Sequence, residues 1–120
     1  MFDSITLQAI TSALDATLLR QEAIATNVAN ASTPGYTPVR VDFESHLNAA
    51  RAALDRGEAI DSSMLSAPTV TRESMRYGEE GPRVDRQISD MMTNSVRYQT
   101  LVKGLNNEFK LISTAIDEGK

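Results

Sequence analysis

His46 is the only histidine in the chain, and there is no cysteine to accompany it. One imidazole without thiolates cannot complete an ordinary zinc site, and the lack of cysteine removes disulfides and cysteine nucleophiles. His46 therefore reads as a surface or partly packed side chain. The carboxylates are no more suggestive. Asp85 suits a helix N-cap and Asp90 a solvated helix face, while Glu79 and Glu80 repel one another in a loop. Gly78, Gly81 and Pro82 are turn residues, and no Lys-Ser/Thr pair follows them at phosphate-loop spacing. No nucleophile stands with a base. The residues predict no catalytic site, no metal and no cofactor, and the chain does not read as an enzyme.

The polar residues with the clearest pattern lie in residues 21–36, QEAIATNVANASTPGY. An amphipathic helix runs there into Asn27, Asn30, Thr33, Pro34, Gly35 and Tyr36, which cannot continue it. Proline drives the preceding residue out of the α region. Asn27 and Asn30 are placed to adopt left-handed geometry near the helix end or to bond its last carbonyls. Pro34-Gly35 fits the central positions of a type II turn, which requires positive φ at Gly35.

The elements that hold this turn are read from periodicity. Leu7, Leu14, Gln21 and Val28 recur every seven residues, and Ile10, Thr17 and Ile24 form a second row. Together they predict a helix over 4–30 with an a/d seam, interrupted by the polar Thr17 and Gln21, and about 40 Å long. Asp3 is the expected N-cap. A turn region over 31–41 leads to a short helix over 43–56, with Phe43, Leu47, Ala50 and Leu54 on one face, Asp42 as cap and Gly57 as terminator. Residues 57–84 lose periodicity. Ala67–Arg72 and Met75–Tyr77 have weak strand character, and a small hairpin and disorder in the free chain both fit. A second long helix is predicted over 86–117, capped by Asp85. Its seam rows are Ile88, Ser95, Val102, Phe109 and Ile116, and Met91, Tyr98, Leu105 and Ile112. Gly104 inside it either admits a neighbouring helix or is simply tolerated. The expected fold is mainly all-α: two long terminal heptad helices in an antiparallel pair, one short middle helix and a flexible or hairpin middle. Ile5, Leu18, Met92 and Leu101 flank the seams, so one helix pair cannot cover all the apolar surface, which calls for partner helices.

With 120 residues the chain makes one domain, and its formal net charge of −4 argues against a nucleic-acid or anionic-membrane partner. MFDSITLQAI lacks the basic and apolar regions of a cleavable secretory signal, and no apolar run approaches the ~20 residues that span a bilayer. No direct membrane insertion is expected.

The run Ile24, Ala25, Asn27, Val28, Ala29, Asn30, Thr33, Pro34, Gly35, Tyr36 closely resembles the N-terminal signature of flagellar rod, hook and related axial proteins. Val41-Asp42-Phe43-Glu44 with Leu47, and Val96-Arg97-Tyr98-Gln99-Thr100-Leu101, resemble segments of the proximal-rod members. Gly81-Pro82-Arg83-Val84-Asp85 departs from their usual lead-in to the last helix by placing proline where asparagine is common. The resemblance implies a structural subunit of the bacterial flagellar basal-body rod in the periplasm, exported by the flagellar type III apparatus without signal cleavage. It implies helical polymerisation through the terminal helices, torque transmission, and partners among its own copies, other rod proteins, the export gate and the rod-base adaptor. A cytoplasmic helical-hairpin adaptor or export chaperone, and another small proximal-rod subunit, are the alternatives.

Overall fold

The computed structural model describes residues 4–65, 67–74 and 81–119. The expected cap at Asp3, the strand character at Met75–Tyr77, the turn residue Gly78 and the pair Glu79–Glu80 lie outside the described residues. The architecture is mainly helical: α1 (Ser4–Ala29), β1 (Val39–Asp42), α2 (Glu44–Asp55), a single 3₁₀ turn (Ser62–Met64), β2 (Thr69–Arg72) and α3 (Val84–Glu118). The molecule is a rod, 64 × 29 × 17 Å.

α1 and α3 lie antiparallel: Asn27 at the C-terminal end of α1 meets Gln87 at the start of α3, and Thr17 and Gln21 meet Asn94. α1 contributes a wide buried stripe, Ala16, Thr17, Ala23, Ile24 and Asn27. Leu7, Ile10, Leu14, Gln21 and Val28 are half-buried beside it. On α3 the fully buried positions are Gln87 and Asn94, one residue before the expected Ile88 and Ser95. The inward row thus runs Gln87, Asn94, Leu101, with Met91, Val102, Leu105 and Ile112 half-buried alongside. Ile88, Tyr98, Phe109 and Ile116 point outward, between 41% and 57% exposed. The physical reason is local. α1 offers the Thr17 carbonyl and the side-chain amides of Gln21 and Asn27, and the amides of Asn94 and Gln87 face them.

β1 and β2 form a two-stranded antiparallel ribbon with Val39 opposite Arg72 and Val41 opposite Val70. The partner of β2 is therefore the segment read from sequence as part of a turn. Val39 and Val41 alternate with Arg40 and Asp42 at strand period, but over four residues only, between Pro38 and Phe43. Val41 points into the core and is 3% exposed.

α2 buries Ala50 and Ala53 beside the buried Phe43, and leaves Leu47 and Leu54 at 37% and 57% exposure. Its inner face is turned toward alanine, not along the expected leucine line. Its N-terminus is held by Asp42, whose carboxylate accepts from the Ser45 amide and hydroxyl. Its C-terminus closes as a Schellman motif: Glu58 N donates to Ala53 O, and Gly57 N to Leu54 O, with Gly57 at φ 74°. α3 starts at Val84 with Arg83 as the N-cap residue, so Asp85 sits inside the first turn. There its charge still suits the helix dipole.

The core is small. Ile24, Val41 and Phe43 are the large apolar side chains buried in it, and the largest side chain below 2% exposure is Asn27. Accessible surface is 8474 Å² for 13.1 kDa, about 2,100 Å² more than the roughly 6,400 Å² of a compact protein of that mass.

Candidate functional site

Three stretches far apart in sequence meet at one end of the rod: the turn after α1, the β1–α2 junction and the first half of α3.

The turn begins where α1 runs out of backbone N–H donors for its last carbonyls. Asn30 donates its side-chain Nδ2 to Thr26 O at 2.9 Å, and its backbone N donates to the same carbonyl at 3.1 Å. Thr33 Oγ1 donates to Asn30 Oδ1 at 3.2 Å. The asparagines thus cap with their side chains. Among the described residues only glycines have positive φ, so neither Asn27 nor Asn30 adopts the left-handed geometry considered for them. The chain then reverses through Thr33–Tyr36, with Tyr36 N donating to Thr33 O at 3.2 Å and Gly35 at φ 72°. Proline second, glycine third with positive φ and a closing hydrogen bond make a type II turn. Pro34 and Gly35 themselves are exposed.

Asn27 is the centre of the site. Its Oδ1 accepts from Tyr36 Oη at 2.9 Å and from Val39 N at 2.8 Å. Its Nδ2 donates to Val39 O at 2.9 Å and to Gln87 Oε1 at 3.1 Å. The amide uses both lone pairs and both hydrogens, which lets it sit at 2% exposure. One side chain thereby joins α1, the turn, β1 and α3. Tyr36 is fixed from its other side by Arg72, whose guanidinium carbon lies 5.9 Å from the ring centre, while Arg72 Nη1 donates to Thr37 O. The lead-in to α3 is pressed onto the same turn: a Cβ on Gly81 would lie 3.1 Å from Ala31 O, and Gly81 holds φ 68°. The next residue, Pro82, is buried.

A charged bridge braces the neighbouring layer. Glu44 accepts from Arg20 of α1 at 2.7 Å and from Arg97 of α3 at 3.1 Å, and Arg20 also donates to Val41 O at 3.0 Å. Partial burial works to raise the Glu44 pKa, but the backbone amides of Glu44 and Phe43 and the Arg20 guanidinium outweigh it and hold it below the usual value. Asp42 is also lowered, by its bonds from Ser45, and Asp85 by Arg83. The bridge joins Glu44 of the Val41–Glu44 segment to Arg97 of the Arg-Tyr-Gln segment, so the two shorter sequence marks touch.

Asn27, Asn30, Thr33, Pro34, Gly35 and Tyr36 therefore form one connected turn. Of the seam residues, Ile24 is buried, and Leu7, Ile10, Leu14, Val28, Met91, Val102, Leu105 and Ile112 are half-buried. Ile88, Tyr98, Phe109 and Ile116 are outside the pair. Sequence reading missed Arg20, and it missed Asn94 and Gln87 as buried partners. A signal was present: Gln21 and Asn27 are polar on the inward side of α1, and Gln87 and Asn94 are polar and seven apart on α3. Among the described residues no group of acidic residues and histidine gathers as metal ligands, and no helix is long and apolar enough to cross a membrane.

Residues 7–37 match the family model described as flagella basal body rod protein. That span covers α1 from Leu7 to its end, the capping contacts of Asn30 and the whole type II turn. Over most of its length the chain is similar to flagellar basal body rod proteins named FlgB. The Bacillus subtilis protein is 26% identical across 96% of this chain and 95% of its own. The Escherichia coli protein is 29% identical across 89% of each, and the Salmonella typhimurium protein 28% across 89% of each. The signature turn is built as one network, and the similarity to flagellar basal body rod proteins runs through both long helices.

Proposed function

We propose that this chain is a structural subunit that polymerises helically through α1 and α3 to build the proximal part of the flagellar rod and carry motor torque. The observation that carries the reading is the outward heptad row of α3. Ile88, Phe109 and Ile116 lie at multiples of seven on one row of α3 and are each about half exposed, while Val102 of the same row is half-buried in the pair. Apolar side chains left half exposed among the described residues are suited to helices of neighbouring subunits. The surface excess of about 2,100 Å² is of the right size, because a standard interface takes roughly 800 Å² per partner. Its partners on this reading are further copies, other rod proteins, and the export gate and adaptor at the rod base. The chain would reach the basal body through the flagellar export route without losing a signal peptide. It would act as a scaffold without catalysis.

The test is Phe109→Asp and Ile116→Asp in a strain lacking the native subunit, scored by export, incorporation into purified basal bodies, and swimming. Both positions are exposed, so the helix pair of the isolated chain should survive, as judged by circular dichroism. Export should continue while incorporation and swimming fail. Val102→Asp and Leu105→Asp should fail too, but with a loss of helix stability, because those side chains are half-buried in the pair itself. Normal swimming with both outward variants would overturn the reading. A wild-type chain found in cytoplasmic fractions and absent from basal bodies would favour the adaptor alternative.

A further inference from the structure

We propose that Asn94, with Thr17 and Gln21, is the register lock of the α1–α3 pair: it selects one of two heptad registers that the apolar residues alone would allow.

α3 has 35 residues and α1 has 26, so α1 can slide by one heptad toward the C-terminal end of α3 without running off it. The aliphatic and thioether contacts do not oppose the slide. Met91, Tyr98, Leu105 and Ile112 sit in one row seven apart, and each would take the place of the one before it, with Tyr98 moving to where Met91 packs. The amides do oppose it. In the observed register Asn94 Nδ2 donates to Thr17 O at 2.8 Å and to Gln21 Oε1 at 3.1 Å, while Gln87 serves Asn27. After the slide Leu101 would face Thr17 and Gln21, and Gln87 would have no amide partner. A buried polar side chain at one seam position is a known means of choosing between packings of otherwise equivalent apolar rows.

A second observation shows that the amide is not there for stability. Asn94 is 3% exposed, and its Oδ1 has no hydrogen-bond partner among the described residues. A buried, half-satisfied amide is a poorer core residue than an aliphatic one of similar shape. Its gain is selectivity. The exposed Arg97–Glu44 pair adds little to that choice. Register matters to anything that packs on the outside of the pair, because it sets which outward residues of α3 stand beside Leu18 of α1. The inference stands on the geometry of the pair and holds whatever the chain assembles with.

The chain has no cysteine, so paired spin labels can be placed cleanly. Ala25→Cys and Lys103→Cys put labels on exposed positions of the two helices. One heptad of sliding shortens their axial separation by about 10 Å, which pulsed dipolar electron resonance resolves. The otherwise unchanged chain should give a single distance. Asn94→Leu and Asn94→Ala should each add a population shorter by about 10 Å, and Asn94→Leu should leave the denaturation midpoint unchanged or raised. Asn94→Leu combined with Leu101→Asn moves the amide by one heptad and should enlarge the shorter-distance population beyond that of Asn94→Leu alone. If the folded variants keep the single original distance, register is set elsewhere and the proposal is wrong. Loss of helix in every variant would also overturn it, because the layer would then be holding the fold together and not choosing between registers.

Discussion

Replacing Asn27 tests whether the signature turn is a structural joint. In Asn27→Ala four groups lose their partner: Tyr36 Oη, Val39 N, Val39 O and Gln87 Oε1. They are not equal. Tyr36 is half-buried and can turn its hydroxyl toward water, and a carbonyl oxygen tolerates a lost bond better than an amide N–H does. The Val39 N–H and the Gln87 amide, the latter 8% exposed, are the groups left short. At about 1–3 kcal/mol for each of these two buried groups left unpaired, the expected loss is roughly 2–6 kcal/mol. Against a total stability of about 5–15 kcal/mol that is a large share. Tyr36→Phe removes a single bond at the edge of the network and should cost only about 0.5–1.5 kcal/mol. Urea unfolding followed by far-ultraviolet circular dichroism reads both, at one fixed protein concentration, since association would itself stabilise the chain. If Asn27→Ala stayed within about 0.5 kcal/mol of the wild type, or if Tyr36→Phe cost as much, Asn27 would not be the joint described here.

Gly35 holds φ 72° with no atom within 4 Å of a Cβ built there, so its constraint is conformational only. Gly35→Val should cost about 1–2 kcal/mol in unfolding and impair incorporation into rods, with Gly35→Asn clearly milder; equal behaviour of the two would remove the positive-φ argument. Gly104 also has open space where a Cβ would stand, but at ordinary helical φ, so Gly104→Ala should stabilise the isolated chain by about 0.5–1 kcal/mol, a melting point higher by roughly 3–6 °C. A lower melting point would mean that the space is not free. Glu44 is held below its usual pKa in the folded chain, so its contribution is present above the unfolded value near ~4.3 and is lost as pH falls through the lower, folded one. Glu44→Gln should therefore differ from the wild type at neutral pH and converge with it below about pH 4; a constant difference down to pH 3 would show that the Arg20–Glu44–Arg97 bridge is not the cause.

The turn was legible in the sequence because its determinants are local. Pro34 and Gly35 fix two successive backbone conformations through their own chemistry, and no distant contact is needed to read them. The two long helices were legible because a heptad repeated over more than twenty residues outweighs any single exception. What sequence hid is what depends on the far side of a contact. The inward row of α3 lies one residue before the row that hydrophobicity favours, because α1 offers Thr17, Gln21 and Asn27, and amides answer them. α2 turns its alanines inward, and a hydrophobicity count gives them less weight than Leu47 and Leu54. β1 is four residues long, too short for alternation to stand out between Pro38 and Phe43. Nothing in the α1 pattern marks Arg20, and only the fold shows that it reaches the β1–α2 junction.

These contacts are unevenly distributed, and that bears on how such a subunit works. The four bonds of Asn27, the close approach of Gly81 to Ala31, the Arg20–Glu44–Arg97 bridge and the ribbon all lie toward the end where α1 finishes and α3 begins. Toward the other end the pair is held by half-buried Leu7, Ile10, Val102, Leu105 and Ile112, while Phe109, Leu111 and Ile116 are more than half exposed. Half-buried aliphatic side chains keep only part of the transfer free energy of full burial, about 1.5–3 kcal/mol each. One end is therefore specified by directional bonds that close within the chain, and the other by apolar surface that further helices can complete. Local opening is easiest where buried contacts are fewest. The end that opens most readily thus carries Phe109, Leu111 and Ile116, which further helices can cover. A subunit built this way keeps the geometry of its turn before assembly and gains the remaining helix stability from its neighbours.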